Sequence, residues 1–208
     1  MKLYVMSGAC SLASHISLHW AEAKFDLDVL SHDAVGDEAF RQINPKGAVP
    51  TLVLDDGTVI TESLAILAYI ADAIPAANLG AGPDDIVGRA QLNEALAELV
   101  SDVHKAWAPV FAPGRFVVDV NDEGKAKAAA FNQLDIHYAR LDKVMADKQW
   151  RVLGHRTVAD AYLYVMCSWK DMTPTPLSNF PALAAFAALM NADVSVKLAL
   201  QHEYGGSA

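Results

Sequence analysis

An α/β domain followed by an all-α domain is the architecture that this 208-residue sequence predicts. Three observations predict it. Through Ile74, short strand-like and helical runs alternate. Pro75 to Pro83 then gathers Pro75, Asn78, Gly80, Gly82 and Pro83, a stretch of backbone breakers with little strand or helix signal. Beyond it the β-branched clusters vanish and long patterns of helical spacing take over. The expected division is residues 1–77, a linker over 78–86, and a helical domain over 87–208.

The first part reads as follows. Leu3–Met6 is a strand, Leu12–Ala23 a helix, and Phe25–Leu30 a second strand with period-two alternation. Gly36–Ile43 suits a short helix ended by the loop signal Asn44-Pro45-Lys46-Gly47. Thr51–Leu54 and Thr58–Ile60 are strands joined by the hairpin turn Asp55-Asp56-Gly57. From Ser63, the spacing Leu64, Leu67, Ala68, Ile70, Ala71, Ile74 makes another helix. A parallel unit followed by an antiparallel hairpin, with helices covering the sheet, fits a thioredoxin-like α/β layer. In the second part, Val87–Phe111 carries an apolar row at Leu92, Leu96, Leu99, Val103, Trp107 and Val110. Ala126–Ala146 is a further helix. Thr157-Val158-Ala159-Asp160 has the spacing of a capping box opening a largely apolar helix that reaches about Trp169. Two closing helices are expected over Phe180–Met190 and Ala192–His202.

Bulk properties exclude several classes of function. Net charge is −9 and no cluster of Lys or Arg appears, so nucleic acid and anionic membrane are poor partners. Mean hydropathy is +0.19, but no apolar run approaches the ~20 residues of a membrane span. The N-terminus has no basic segment leading into an apolar block, so secretion is not expected. Neither of the two cysteines, Cys10 and Cys167, sits in a C-x-x-C pair, and this usage suits a reducing cytosol. Cys167 lies within an apolar helical pattern and reads as core.

Cys10 is the first candidate for chemistry. It stands in Ser7-Gly8-Ala9-Cys10-Ser11, between a strand and a helix, where small residues let the backbone turn tightly. A thiol at a helix N-terminus feels the positive end of the dipole, which favours the thiolate. The alternative is a small buried hydrophobe. Downstream, Pro50 opens a strand directly. A cis Val49–Pro50 bond would free the Val49 backbone to pair with an extended peptide ligand, whereas a trans proline would be an ordinary strand start. Ser63, at a helix start, suits either a cap or a carboxylate held by free N–H groups, and Glu62 beside it could accept an ammonium group. Together these residues sketch a site for a thiol peptide with a free amino-acid end.

Cys10-Ser11-Leu12-Ala13-Ser14-His15-Ile16, Asn44-Pro45-Lys46-Gly47-Ala48-Val49-Pro50, Asp55-Asp56-Gly57-Thr58 and Thr61-Glu62-Ser63 closely resemble the bacterial beta-class glutathione S-transferases. Gly154 with Thr157-Val158-Ala159-Asp160-Ala161-Tyr162-Leu163 resembles that family's second-domain motif. The likeness runs over essentially the whole chain. It implies the glutathione transferase fold, glutathione as cosubstrate, a homodimer, and no metal. By resemblance, Cys10 sits beside the glutathione sulfur, Val49 and Pro50 meet its cysteinyl backbone, and Glu62 and Ser63 hold the γ-glutamyl end.

His104 lies in a row with Ala97, Ser101 and Ala108, mostly small residues suited to a cleft wall. Pattern alone would make it a surface or core histidine; the resemblance places it near Cys10, with Ser101 beside it. Ser11 is a second donor to a thiolate or a helix cap. Two departures from the family stand out: Ala97 replaces an asparagine that reaches the neighbouring subunit's glutathione, and a lysine at the glycyl end is missing, with His32 the nearest basic candidate. His15, His19 and Glu22 share a helix face, and i, i+4 histidines can bind a metal, but the H-E-x-x-H arrangement is absent and the face is discounted. Trp107, Phe111, Phe116 and Trp169 are apolar candidates for a pocket holding a small hydrophobic electrophile. The expected activity is conjugation of the glutathione thiol to electrophiles, with thiol-disulfide exchange through Cys10. The alternatives are a non-catalytic binding protein on the same fold, or a glutathione-dependent isomerase or dehalogenase.

Overall fold

The computed structural model describes residues 1–205. Its sheet has four strands in the order β2-β1-β3-β4, built from β1 (Lys2–Val5), β2 (Asp26–Val29), β3 (Thr51–Val53) and β4 (Val59–Thr61). β1 pairs in parallel with β2, with Leu3 opposite Leu27, and antiparallel with β3, with Leu3 opposite Leu52. Both Leu3 and Leu52 are fully buried, which pins this register, since a one-residue slip would turn them to the other face. This is the βαβ unit and antiparallel hairpin read from the sequence, with strand ends moved by a residue or two.

Helix α1 (Leu12–Trp20) crosses from β1 to β2 and is buried almost throughout. Its right-handed spiral ends where Glu22 takes a left-handed conformation, φ 49°, which turns the chain back into β2. The single short helix expected over residues 36–43 is two shorter ones, α2 (His32–Gly36) and α3 (Glu38–Arg41), divided at Asp37, whose backbone is extended. Helix α4 (Ser63–Ala73) covers the sheet beside α1.

The segment read as a linker is held down. Pro75–Ala77 forms a single 3₁₀ turn, Leu79 is buried, and its carbonyl accepts a hydrogen bond from Val158 N–H at 2.9 Å. The rest is helical: α5 (Ile86–Glu98), a π-helical stretch (Leu99–His104), α6 (Ala108–Phe111), α7 (Glu123–Met145), α8 (Val158–Trp169), α9 (Pro181–Ala192) and α10 (Val194–Tyr204). The continuous helix expected over 87–111 is therefore interrupted twice. Pro109 falls in the first turn of α6, where its missing N–H costs no internal bond.

Helix α8 is buried on every side from Val158 through Cys167 and, apart from Asp160 in its first turn, carries no charged side chain there. It opens with the expected capping box: Asp160 accepts hydrogen bonds from Thr157 N–H at 2.7 Å and Thr157 Oγ1 at 3.1 Å. Helix α1 packs along it, so one core runs from the sheet into the helical layers. Each large side chain buried in this seam, such as Ile16 or Leu163, contributes about 1.5–3 kcal/mol. No single helix among the described residues is long and apolar enough to cross a membrane.

Candidate active site

The backbone leaves β1 at Met6, turns over Gly8, and enters α1. Gly8 has φ +76°, a left-handed conformation that favours glycine, and its carbonyl accepts a hydrogen bond from Trp169 Nε1 at 3.0 Å. The turn is thereby pinned to the end of α8. It delivers Cys10 to a cavity of about 120 Å³ lined by Cys10, Val49, Pro50, Glu62, Ser63 and His104, with Lys46 and Tyr162 completing its wall. Five separate stretches of chain thus meet in one place.

The Val49–Pro50 bond is cis. Asn44, itself buried, braces this loop: its amide donates to Ala48 O at 2.8 Å and to Thr51 Oγ1 at 2.9 Å. Val49 makes no backbone–backbone hydrogen bond among the described residues, and its carbonyl accepts from Cys10 Sγ at 3.6 Å. Across the cavity, Glu62 has φ 77°, a strained conformation for a residue with a side chain. It is the N-cap of α4, with Ser63 the first helical residue. The N–H groups of Ser63, Leu64 and Ala65 have no backbone partner among the described residues, which leaves a concentrated positive dipole facing the cavity.

The charge state of Cys10 departs from the expectation of a thiolate. Burial pushes the thiol up from its ordinary value, and the hydrogen bond with Ser63 offsets this only in part. The positive end of α1 is outweighed by desolvation, so Cys10 is a protonated donor, as its bond to the Val49 carbonyl requires. Burial lowers His104 and keeps it neutral. Its Nδ1 lies 2.7 Å from Tyr162 Oη, and burial raises the Tyr162 phenol so that it too stays protonated.

Three expected residues are not brought here. Ser11 is fully buried and bonds back to the strand end, accepting from Met6 N–H at 3.1 Å and donating to Met6 O at 3.3 Å. It neither faces the cavity nor caps α1. His32 stands in solvent at the start of α2, its side chain 92% exposed, and Lys46 takes the place of the basic residue at the rim. Ser101 points into a different groove with Asp102, Lys105 and Phe116. The reason is the π-helical stretch: its wider turn brings Val100 rather than Ser101 into line with His104.

Lys46 and Tyr162 were present in the quoted motifs but carried no signal of their own. Lys46 read only as part of a loop and Tyr162 as one apolar position in α8. Lys46 Nζ pairs with the Glu62 carboxylate and donates to Thr61 Oγ1 at 3.2 Å. A second cavity of about 350 Å³ adjoins the first through Val100 and His104 and is lined by Ala108, Phe111, Arg115 and Phe116. Phe111 and Phe116 are half-exposed there, whereas Trp107 is core. Trp169 supports the site from behind, with its ring 5.2 Å from that of His104. The arrangement suits a thiol-bearing zwitterion in the first cavity and an apolar molecule in the second.

Comparison with known proteins agrees with this geometry. Residues 8–73 match the family model described as glutathione S-transferase, N-terminal domain. The chain is 36% identical over 203 residues to glutathione S-transferase GST-4.5 of Xanthomonas campestris pv. campestris, covering 98% of each. A sphingomonad glutathione S-transferase complexed with glutathione is 38% identical, with a TM-score of 0.89 and 100% of both chains covered. A bacterial beta-class glutathione S-transferase of Sphingomonas chungbukensis is 37% identical, with a TM-score of 0.88 and coverage of 98% and 99%.

Proposed function

Because this chain belongs to the glutathione S-transferase family, we propose that it is a beta-class enzyme that conjugates the glutathione thiol to small apolar electrophiles. The observation that carries the reading is the convergence of Cys10, the Val49 carbonyl, Glu62, Ser63 and His104 on one cavity, beside a second apolar one. A free cysteine-like thiol, with a pKa of about 8.5, is only a few per cent ionised at neutral pH. The site's task is to make the thiolate cheaper and to hold the electrophile against it.

In this reading, Glu62 accepts the γ-glutamyl ammonium. The neighbouring carboxylate meets the N–H groups and hydroxyl at the start of α4. Val49 exchanges strand-like hydrogen bonds with the cysteinyl backbone. As the γ-glutamyl ammonium replaces Lys46 on Glu62, Lys46 is released at the rim for the glycyl carboxylate, in place of His32. Cys10, held as a thiol, turns its S–H from Val49 O to the incoming sulfur, and this hydrogen bond favours the thiolate. Tyr162 donates to His104 Nδ1, which leaves Nε2–H as a further donor facing the cavity. The conjugated sulfur forms its new bond to carbon as the leaving group, or the π-electrons of an acceptor, take up the displaced pair.

Exchange through Cys10 is the slower activity, because burial keeps this thiol protonated. When it does ionise, its sulfur attacks one sulfur of a glutathione disulfide and releases the other as a thiolate. The working form is a homodimer in a reducing cytosol, the compartment that suits two unpaired cysteines. Retention on immobilised glutathione, followed by turnover of an electrophile panel and a disulfide, tests the proposal. Retention with turnover is expected; neither would leave a binding protein on an enzyme fold.

A further inference from the structure

We propose that His15, His19 and His202 form a binding site for a divalent first-row transition ion of the zinc type, remote in function from the glutathione cavity. The discounted pair on α1 gains its third imidazole from α10, an element 183 residues further along the chain. One ring nitrogen from each histidine lies within 4.8 Å of the other two. His15 Nε2 and His19 Nε2 are 3.1 Å apart. Two ligands on a tetrahedral zinc, each at about 2.0–2.1 Å, stand only slightly further apart than that. His202 is exposed, and rotation of its side chain closes the remaining gap.

The surroundings are those of a ligating histidine. His15 Nδ1 meets Glu203 Oε1 at 3.0 Å, and both side chains are fully buried. A carboxylate on the far nitrogen of a metal-binding histidine fixes its tautomer and raises the basicity of the nitrogen that faces the ion. Glu203 Oε2 is buried with no hydrogen-bond partner among the described residues, which leaves it free to respond to a charge arriving at His15. In the tautomer with Nδ1–H directed at Glu203, His15 offers a bare Nε2, to which His19 Nε2–H donates. When the ion arrives, the His19 proton moves to its Nδ1 and no net charge is lost from the rings. Phe25 packs in T-shaped contact with both imidazoles, its ring centroid 5.9 Å from that of His15 and 5.3 Å from that of His19. A cavity of about 600 Å³, lined by His19, Phe25 and His202 and reaching Asp26 and Asp55, gives an ion and its remaining water ligand a way in. Imidazole donors select zinc, nickel or copper over magnesium or calcium. The bound ion would tie α10 to α1.

The test uses the full chain, prepared without a histidine tag and stripped of metal, titrated calorimetrically with zinc chloride. One zinc per chain is expected, together with a raised melting temperature and, for cobalt, the visible absorption of a tetrahedral ion. His19→Ala and His202→Ala should each weaken zinc by more than about tenfold, and Glu203→Gln by about 10–100-fold. His32→Ala, altering an exposed histidine elsewhere, should leave it unchanged. His202 is a surface residue, so its variant should keep the metal-free melting temperature. Substoichiometric zinc in the wild type, or equal affinity in His202→Ala, would overturn the proposal. Glutathione retention, measured on the same metal-free protein, is independent of either result.

Discussion

The two thiols of this chain have the same chemistry and opposite circumstances. Cys167 lies inside α8, where burial first, and the Asp142 carboxylate second, push its ionisation upward. Cys10 is also raised by burial, yet it is only partly buried, bonded to Ser63 and Val49, and lines a cavity. The difference is one of surroundings: a turn delivers Cys10 to a cavity where separate chain segments bring polar groups together. Reactivity therefore tracks access and hydrogen bonding, and both thiols being protonated does not make them equivalent.

The largest test of this contrast is alkylation of the folded protein, read by mass spectrometry. Iodoacetamide should add one group to the native wild type and none to Cys10→Ala, faster as pH rises; two groups on the native chain would erase the distinction. Cys10→Ala should also lose the mixed disulfide with glutathione completely while conjugation continues, because the remaining donors still face the substrate sulfur. Glutathione affinity comes next. Glu62→Gln and Ser63→Ala should each weaken it by about 10–100-fold, the scale of losing a hydrogen bond to a charged group. Calorimetric titration measures this, and unchanged affinity would remove α4 from the site.

The polar end of α8 gives a smaller effect with a definite pH signature. Burial pushes Asp160 up to about 6, against the hydrogen bonds it accepts from Arg151 and Thr157 N–H groups. The folded chain therefore holds a proton that the unfolded chain releases. The stability associated with that proton is complete below the ordinary carboxyl value and is lost as pH rises through about 6. Asp160→Asn should cost about 1–3 kcal/mol through the lost cap acceptor and flatten this slope in urea unfolding between these pH values. Cys167→Ala should cost about 1 kcal/mol, a cavity effect with no loss of thiol chemistry. His32→Ala and Ser101→Ala, both at exposed positions, should change glutathione affinity and stability by less than about 0.5 kcal/mol.

Much of this was legible along the chain. The β–α–β and hairpin order, the break at Pro75, the capping box at Thr157 and the burial of Cys167 all follow from local periodicity and turn chemistry. Val49, Glu62 and Ser63 stood out because each sits at an element boundary, where backbone groups are left unpaired. What misled was any inference that assumed a regular helix or an isolated dipole. Ser101 was placed beside His104 by α-helical spacing that the π-helical stretch does not obey. Ser11 reads as a donor to a thiolate or a helix cap, but Met6 takes both of its hydrogen bonds.

The sequence alone determined the order of elements, most of the buried faces and the boundary positions Val49, Glu62 and Ser63 where backbone groups are left unpaired, because those depend on interactions between near neighbours. Only the tertiary structure decided that Cys10 is a thiol rather than a thiolate, that Lys46 and Tyr162 complete its cavity, and that His202 stands over His15 and His19. Those facts arise from the desolvation and meeting of segments far apart in the chain, which no local pattern records.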